Sequence, residues 1–327
     1  MNILVCGGAG YIGSNMTEML AREGHLPVVY DNLSKGHKAA VADKEIVIGD
    51  LSDFDLLVET LKKYHIEAVM HFAAFIEVGE SMELPLKYYR NNFCATHNLL
   101  SAMEAASVHK FIFSSTAAVY GIPQRTPITE DSPKEPINPY GHSKLSVERM
   151  CHYQSLTGKL SFAALRYFNA CGAGNNGTLG EDHQPETHLI PLTIQAAMGK
   201  RSEIKIYGTN YPTPDGTCVR DYIHIDDLCK AHLLALNNLD KVKELICNLG
   251  NERGHSVREV IDTVRKVSGK DFKIVESASR PGDPPVLEAD NRQAKAELGW
   301  TIQNPNLEEM VETAWKWHNE HRDGYPD

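Results

Sequence analysis

Short apolar runs alternate with amphipathic stretches through the first half of the chain. The apolar runs lie at residues 3–6, 27–30, 45–48, 68–72, 111–113 and 161–169. Helix-like stretches separate them, at residues 13–22, 53–64 and 91–106. Short buried strands that alternate with helices form parallel sheets covered on both faces. The pattern therefore predicts an α/β fold built on a doubly wound parallel sheet of the Rossmann type.

The pattern changes near residue 170. Residues 171–180 are rich in Gly and Asn, and residues 207–216 in Gly, Pro and Thr, which are loop signals. Among the short helices and strands that follow, one helix opens at Ser256 with Glu259 three residues later, the pattern of a capping box. We expect a first domain over residues 1–170 and a smaller C-terminal α/β domain over residues 171–327. Segments at about 219–250 are expected to return to the first domain.

Composition and charge narrow the class of protein. The 327 residues include 33 Lys plus Arg against 43 Asp plus Glu, and the net charge of −10 argues against nucleic acid or an anionic membrane as partner. No apolar run approaches the ~20 residues that span a bilayer. The seven cysteines form no C-x-x-C pair, and the N-terminus does not read as a signal peptide. We therefore expect a cytoplasmic protein in a reducing environment.

The first apolar run ends in a glycine-rich turn. Gly7, Gly10 and Gly13 are spaced G-x-x-G-x-x-G between a predicted strand and a predicted helix. Glycines at such a turn let backbone N–H groups approach a pyrophosphate at the helix N-terminus. Asp31 ends the second apolar run, where a carboxylate can accept hydrogen bonds from both ribose hydroxyls of NAD and would repel the 2′-phosphate of NADP. The turn and the carboxylate together predict NAD as the cofactor.

A tyrosine and a lysine lie four residues apart at the start of a predicted helix. Tyr140 and Lys144 share one helix face, so they can act together. A free tyrosine has a pKa of ~10, and a nearby ammonium together with a positively charged nicotinamide would lower that pKa. Thr116 ends the strand at 111–113, at the edge where α/β sheets bind ligands. These three residues are the predicted catalytic group.

Several further motifs point to a known family. They lie at residues 49–51, 71–74, 113–121, 166–169, 185–191, 211–217, 219–224 and 280–283. With the glycine turn and the Tyr140–Lys144 pair, they resemble the extended short-chain dehydrogenase/reductase family, and most closely its UDP-glucose 4-epimerase branch. The resemblance runs from residue 3 to about residue 318. Its second-half motifs are the specific ones, because they belong to the UDP-sugar pocket.

The resemblance implies an enzyme that interconverts UDP-galactose and UDP-glucose. Hydride would pass from sugar C4 to tightly bound NAD, giving a 4-keto sugar that turns over in its pocket before hydride returns. Tyr140 would remove the proton from the 4-hydroxyl, Thr116 would bridge to the sugar oxygen, and Lys144 would hold the nicotinamide ribose. The family is usually dimeric, so a homodimer through a four-helix bundle that includes the helix from Tyr140 is also implied.

The same resemblance assigns residues to the two ligands. Along the cofactor, the matching positions are Gly7, Gly10, Tyr11, Ile12, Gly13, Asp31, Asn32, Leu33, Ser34, Gly36, Asp50, Leu51, Phe72, Ala73, Ala74, Asn91, Ser114, Tyr140, Lys144 and Phe168. Around the UDP-sugar they are Thr116, Tyr140, Asn169, His188, Leu189, Lys205, Tyr207, Arg220, Leu287, Arg280 and Asp283.

Two positions depart from the family pattern. Many members carry a lysine near the cofactor phosphates, where this chain has Phe75, Ile76 and Glu77. Leu287 stands where some members have a tyrosine at the sugar end of the pocket. A smaller residue there predicts some activity on UDP-N-acetylglucosamine and UDP-N-acetylgalactosamine.

Other functions and a metal were weighed against this interpretation. Glu181, His183, Glu186 and His188 resemble a metal cluster in composition, but their spacing fits no common zinc motif, so no metal is expected. A related dehydratase would carry an acidic pair after Thr116, where this chain has two alanines. A decarboxylase acting on a carboxylate-bearing sugar, and an NAD-sensing regulator without activity, remain the alternatives.

Overall fold

A computed structural model describes residues 1–174, 177–280 and 282–326. Its strands are β1 Asn2–Cys6, β2 Leu26–Asp31, β3 Glu45–Ile48, β4 Ala68–His71, β5 Lys110–Thr116, β6 Ser161–Tyr167, β7 Asn169–Cys171, β8 Ile204–Tyr207, β9 Val219–His224, β10 Glu244–Leu249, β11 Gly254–Ser256, β12 Ile274–Ser277 and β13 Val286–Leu287. Its α-helices are α1 Tyr11–Arg22, α2 Phe54–Lys63, α3 Val78–Glu83, α4 Pro85–Tyr88, α5 Ala95–Ala105, α6 Pro139–Leu156, α7 Leu189–Ala197, α8 Ile225–Asn238, α9 Val257–Ser268, α10 Arg292–Leu298 and α11 Leu307–Glu320. A π-helical segment, Tyr89–Cys94, joins α4 to α5.

The central sheet has seven strands in the order β3-β2-β1-β4-β5-β6-β10. Every neighbouring pair in it is parallel. The order reverses between β1 and β4, which is the switch point where open α/β sheets bind ligands at the carboxyl ends of their strands. This confirms the predicted doubly wound parallel sheet.

Successive side chains of the central strands pack alternately into two separate hydrophobic cores. On β1, Ile3 and Val5 pack into a cluster that includes Leu20 of α1 and Leu228 of α8. Leu4 faces the other way, into a cluster with residues of α2, α5 and α6 such as Leu57, Leu99 and Val147. Because strand side chains alternate between faces, a sheet with helices on both sides needs apolar residues at successive positions. The continuous apolar runs in the sequence reflect this requirement.

The apolar run at 161–169 is not one strand. β6 ends at Tyr167 in the central sheet, and β7 begins at Asn169 and pairs with β9 in a separate small sheet. β6 is buried along its length and Asn169 and Ala170 of β7 are half-buried, but no Gly or Pro marks the break between the two strands. The break turns the chain at Phe168 away from the central sheet and toward the C-terminal half.

The C-terminal half carries two small sheets and several capped helices. β9 pairs with β11, β13 and β7, and β8 pairs with β12. The predicted capping box at Ser256 and Glu259 is present at the start of α9. No helix of the described residues is both long enough and apolar enough to cross a membrane.

Candidate functional site

The glycine turn lies at the carboxyl end of β1 and leads into α1. Gly7 has φ +74°, and a Cβ there would lie 2.5 Å from the Ala73 nitrogen. A Cβ on Gly13 would lie 2.0 Å from the Gly7 carbonyl oxygen. No side chain caps α1 at Gly10, so the first-turn N–H groups of Tyr11, Ile12 and Gly13 have no side-chain acceptor there. The turn is therefore a cradle of backbone donors that fits a pyrophosphate.

The loop from residue 31 to 36 packs against this cradle. Asp31 accepts hydrogen bonds from the backbone N–H of Ala9 at 2.9 Å and of Leu33 at 2.8 Å. Burial raises the pKa of Asp31, and these two hydrogen bonds oppose the rise. Gly36 sits so close to Ala9 that a Cβ would lie 2.8 Å from the Ala9 carbonyl carbon. The carboxylate is thus fixed beside the glycine turn, as a ribose-binding role requires.

A second pair of predicted cofactor residues meets beyond Asp31. The Asn32 side-chain amide donates to an Asp50 carboxylate oxygen at 2.7 Å, and the Ser34 N–H donates to Asn32 Oδ1 at 3.0 Å. Leu51 is buried, and its carbonyl accepts from the Asn98 side chain at 2.6 Å. The structure therefore brings the residues predicted around the adenosine end into one patch.

The catalytic group predicted from the sequence also converges. Tyr140 and Lys144 lie in the first two turns of α6, which is capped by the Asn138 side chain accepting from the Gly141 N–H. The ammonium of Lys144 donates to the Ser114 carbonyl oxygen at 2.8 Å, across to β5. Thr116 ends that strand, and its hydroxyl accepts from the Ala118 N–H at 3.1 Å. All three lie at the carboxyl edge of the sheet.

In the protein without its cofactor, burial shifts the pKa values of both Tyr140 and Lys144. Burial raises the pKa of Tyr140, and a hydrogen bond with Thr116 only partly opposes the rise. Burial lowers the pKa of Lys144 to about 7, against an opposing effect of the Glu148 carboxylate. The expected lowering of the tyrosine pKa requires a positively charged nicotinamide beside the lysine, and it stays a prediction.

The segment after β4 departs from the family lysine, and the structure shows how it is held. Phe75 exchanges two hydrogen bonds with the Asn92 side chain, at 2.9 and 3.0 Å. Glu77 forms an ion pair with Lys35 at 3.2 Å, and Lys35 also donates to the Gln184 carbonyl at 2.6 Å. A lysine is thus present close to this segment, but it comes from the loop after Asp31. Phe72, Ala73 and Ala74 precede the segment, and Asn91 donates to Asn92 Oδ1 at 3.0 Å.

Arg220 and Asp283 form one unit of the predicted substrate pocket. The guanidinium of Arg220 contacts Asp283 at 2.5 Å and donates to the carbonyls of Val219 and Pro284 at 2.8 and 2.9 Å. The neighbouring Asp221 takes no part, because its buried carboxylate accepts backbone N–H groups of Asn251 and Ala289. Arg220 therefore pairs with Asp283, which is distant in sequence, and not with the adjacent Asp221.

The other predicted substrate residues lie on nearby strands and loops. Asn169 donates from its side chain to the Asp221 carbonyl at 2.8 Å, which links β7 to β9. Tyr207 and Lys205 share the exposed face of β8, and the Arg280 guanidinium lies 4.0 Å above the Tyr207 ring. Stacking of this kind presents a flat cationic surface. Leu189 opens α7 next to His188.

Leu287, a predicted substrate residue, packs against residues that neighbour the predicted catalytic group. It packs, with Phe168, against a buried cluster of Val119, Tyr120, Ile128 and Leu145. Val119 and Tyr120 follow Thr116, and Leu145 follows Lys144. The position predicted at the sugar end of the pocket therefore borders the elements that carry Thr116 and Lys144.

Sequence reasoning missed a buried ion pair behind the catalytic group. Glu148 and Arg166 are joined by two hydrogen bonds at 2.6 and 2.9 Å, and each side chain is only 3% exposed. Glu148 also accepts from Ser115 at 2.5 Å, and Arg166 donates to the Tyr120 hydroxyl at 2.8 Å. The available signal was the spacing, because Glu148 follows Lys144 by one helical turn. Asn92 was missed as well, since an isolated asparagine carries no pattern.

Comparisons with known proteins agree with this geometry. The model of the NAD dependent epimerase/dehydratase family matches residues 3–250. The UDP-glucose 4-epimerase of Halalkalibacterium halodurans is 48% identical over 326 residues, covering 99% of this chain and 98% of its own. The crystal structure of UDP-glucose 4-epimerase from Brucella ovis in complex with NAD has a TM-score of 0.94 at 48% identity, covering 96% of this chain and 97% of its own. The UDP-Glc/GlcNAc 4-epimerase from Campylobacter jejuni has a TM-score of 0.86 at 43% identity, covering 98% and 99%.

These matches extend over both halves of the molecule, and they confirm the resemblance drawn from the motifs. The chain belongs to the NAD dependent epimerase/dehydratase family and, within it, to the UDP-glucose 4-epimerase family.

Proposed function

We propose that this chain is an NAD-dependent 4-epimerase that interconverts UDP-galactose and UDP-glucose. The observation that carries the proposal is the convergence of Tyr140, Lys144 and Thr116 at the carboxyl edge of the sheet, beside the glycine cradle. That constellation occurs in a chain 48% identical over its length to a UDP-glucose 4-epimerase. The roles of individual residues below are part of the proposal.

The residues present fit NAD. The uncapped start of α1 and the close approach at Gly7 and Gly13 leave backbone donors for the pyrophosphate, and Asp31 supplies the ribose acceptor. Asn32 would lie with Asp31 at the adenosine ribose, and Asp50 and Leu51 would border the adenine. Phe72, Asn91 and Ser114 would line the remaining length of the cofactor. When bound, NAD supplies a reversible hydride acceptor for sugar C4.

The protein's own residues handle the proton. Tyr140 would accept the proton of the sugar 4-hydroxyl and return it, and Thr116 would hydrogen-bond the same oxygen. Lys144 is anchored on the Ser114 carbonyl, so its remaining N–H donors can reach a ribose hydroxyl. Lys144 is buried and Tyr140 is half-buried, so the tyrosine stays accessible to a substrate while the lysine is shielded from water.

The nucleotide half of the substrate would be held by the C-terminal residues. Arg220 and Arg280 supply charge for the diphosphate, and Asp283 orients Arg220. Tyr207 and Lys205 on β8, Asn169, and the His188–Leu189 pair at the start of α7 complete the predicted lining.

We propose activity on N-acetylated UDP-sugars as well. Leu287 packs among aliphatic and aromatic side chains at the sugar end, where a tyrosine would be larger and polar. A relative 43% identical is a UDP-Glc/GlcNAc 4-epimerase. A Leu287→Tyr variant should lose turnover of UDP-N-acetylglucosamine while keeping that of UDP-galactose. Equal loss on both substrates would contradict this role for Leu287.

Assembly and location follow from other features. Met82, Leu84 and Leu86 near α3 and α4, and Tyr153 and Leu156 at the end of α6, are exposed apolar side chains, with Leu86 82% exposed. We infer that these surfaces pair in a homodimer through a four-helix bundle, which sedimentation would test.

All seven cysteines are free, which supports a reducing, cytoplasmic setting.

We also infer the division of labour along the chain. Residues 1–170 would hold the cofactor, and residues 171–327 chiefly the UDP-sugar. Of the segment at about 219–250, α8 and β10 would belong with the first part, because β10 pairs with β6 and α8 packs beside α1, whereas β9 pairs with β7, β11 and β13.

The dehydratase alternative is disfavoured by the turn after Thr116. Ala117 and Ala118 begin a short 3₁₀ turn there, and neither can supply an acid or base. One assay distinguishes the proposed epimerase from a decarboxylase and from a regulator without turnover.

That assay supplies UDP-galactose to purified protein without added cofactor. UDP-glucose should form, and Tyr140→Phe should lose at least ~10²-fold in turnover because general-base catalysis is removed. NAD content, measured after denaturing the protein, should be unchanged in the variant. Absence of UDP-glucose with NAD present would overturn the proposed function.

A further inference from the structure

Four potential metal ligands converge in the loop between β7 and α7, outside the catalytic group. One ligand atom from each of Glu181, His183, Glu186 and His188 lies within 4.8 Å of the others. We propose that this cluster is a zinc site that fixes the loop leading into α7. His188 also belongs to the proposed substrate lining, so the site would adjoin the UDP-sugar pocket while its other three ligands lie outside the proposed catalytic and binding residues.

The distances fit a tetrahedral ion. His188 Nδ1 lies 2.7 Å from a Glu181 oxygen and 3.1 Å from a Glu186 oxygen. His183 Nδ1 lies 3.2 and 3.6 Å from oxygens of the same two carboxylates. Ligands about 2.0–2.2 Å from a tetrahedral zinc are about 3.3–3.6 Å apart. The four His–Glu separations of 2.7–3.6 Å reach that spacing at their upper end, with Glu186 facing His183 through Oε2 and His188 through Oε1, so small shifts would gather one atom of each side chain around one ion.

The hydrogen-bond pattern is the second observation. Each imidazole Nδ1 faces two carboxylate oxygens, but one N–H can satisfy only one of them. His183 Nδ1 is buried and makes no hydrogen bond of acceptable geometry. A buried nitrogen that makes no hydrogen bond and faces two carboxylates fits a cation that all three groups could bind together.

Charge and surroundings favour a dication. The side chains of Glu181 and Glu186 are 6% and 4% exposed, so two carboxylates are buried close together. Buried charges require compensation, which either one dication or two protonated histidines would supply. Zinc binds imidazole and carboxylate ligands together in tetrahedral sites, as in His₂Glu sites. We therefore commit to zinc, and the pair of protonated histidines becomes the competing outcome.

Neighbouring groups already orient the ligands. Glu186 accepts from the backbone N–H of Thr187 at 2.6 Å and of His188 at 2.8 Å. The His183 ring packs edge-on against Tyr11 of α1, with centroids 6.4 Å apart. Zinc at Nδ1 of His188 would leave Nε2–H directed elsewhere as a donor. The ion would thus tie α1, the loop and the start of α7 together.

The sequence argument against a metal rested on linear spacing. Two E-x-H units separated by two residues match no common zinc motif, yet the folded loop brings their four side chains together. Linear motifs describe ligands on regular elements, and this loop is irregular.

The test is zinc content of the full-length, untagged holoenzyme after dialysis against metal-free buffer. We expect one zinc per chain, retained by His37→Gln and reduced to background by Glu181→Gln and by His183→Gln. His37 is the matched control, because it contacts Asp182 of the same loop without belonging to the cluster.

A second measurement needs no variant. Replacement of zinc by Co²⁺ should give the intense visible absorption of a tetrahedral site, which zinc addition then abolishes. Wild-type protein that retains no zinc and shows no such band would overturn the proposal, leaving protonated histidines to balance the carboxylates. Equal zinc in wild type and in both ligand variants would also overturn it, even if one variant folds poorly.

Discussion

The buried amine of Lys144 should lower the free energy of unfolding, and replacing this residue should therefore stabilise the protein. Its side chain is 2% exposed, and burial lowers its pKa to about 7 from 10.5. Lys144→Met keeps the length of the side chain and removes the amine. We expect a more stable, inactive protein near neutral pH.

The sign and size of this stability change follow from the protons that Lys144 binds in the folded and unfolded states. Between pH 7 and 10.5 the unfolded chain binds more protons at this lysine than the folded protein does, so wild-type stability should rise with pH in that window. At pH 7 the shift corresponds to about 4 kcal/mol of destabilisation. The variant also loses the hydrogen bond to the Ser114 carbonyl, which destabilises it by about 1 kcal/mol. The net gain for Lys144→Met is therefore about 3 kcal/mol at pH 7, and it should fall by about 3 kcal/mol by pH 9.5.

The assay is urea unfolding of cofactor-depleted protein at the two pH values, followed by tryptophan fluorescence. Lys159→Met is the control, because Lys159 lies on the surface with Glu104 and should show no such pH-dependent gain. A Lys144→Met protein that is less stable than wild type at pH 7, or whose advantage is equal at both pH values, would refute the reasoning.

Three further predictions concern the surroundings of the site. Glu148→Gln leaves Arg166 buried without its counter-charge and should cost about 3–5 kcal/mol of unfolding free energy, seen as a lower melting temperature; a loss below about 1 kcal/mol would contradict this role of the pair. Gly13→Ala places a Cβ 2.0 Å from the Gly7 carbonyl oxygen and should deplete bound NAD, measured by absorbance after denaturation, whereas Gly79→Ala, with open space around it, should retain NAD. Equal NAD in both variants would count against the cradle. Thr116→Val should keep NAD but lower turnover by at least ~10-fold, because one hydrogen bond to the reacting oxygen is lost; unchanged turnover would remove Thr116 from the catalytic group.

The sequence predicted those parts of the fold that local pattern controls. The glycine turn, Asp31 and the Tyr140–Lys144 face depend on spacings of a few residues within one element or turn. The parallel arrangement of the sheet follows from short apolar runs that alternate with helices. These features could therefore be read before the structure was known.

The remaining features depend on contacts between distant segments. Asp283 pairs with Arg220 across 63 residues of chain, and Glu130 binds the Asn248 backbone across 118. No periodicity links such residues. The break at Phe168 was hidden for another reason, because no Gly or Pro separates β6 from β7, although the two strands join different sheets. The pKa of Lys144 likewise depends on burial by several elements at once.

The most direct test of the central claim follows the hydrogen at C4 of the sugar. UDP-galactose carrying deuterium at C4 is incubated with the purified protein in ordinary water, and the UDP-glucose formed is analysed by mass spectrometry. Because hydride should leave C4 and return to it within one bound complex, the account predicts that the product keeps its deuterium. Loss of the label to solvent, at a rate matching product formation, would contradict it.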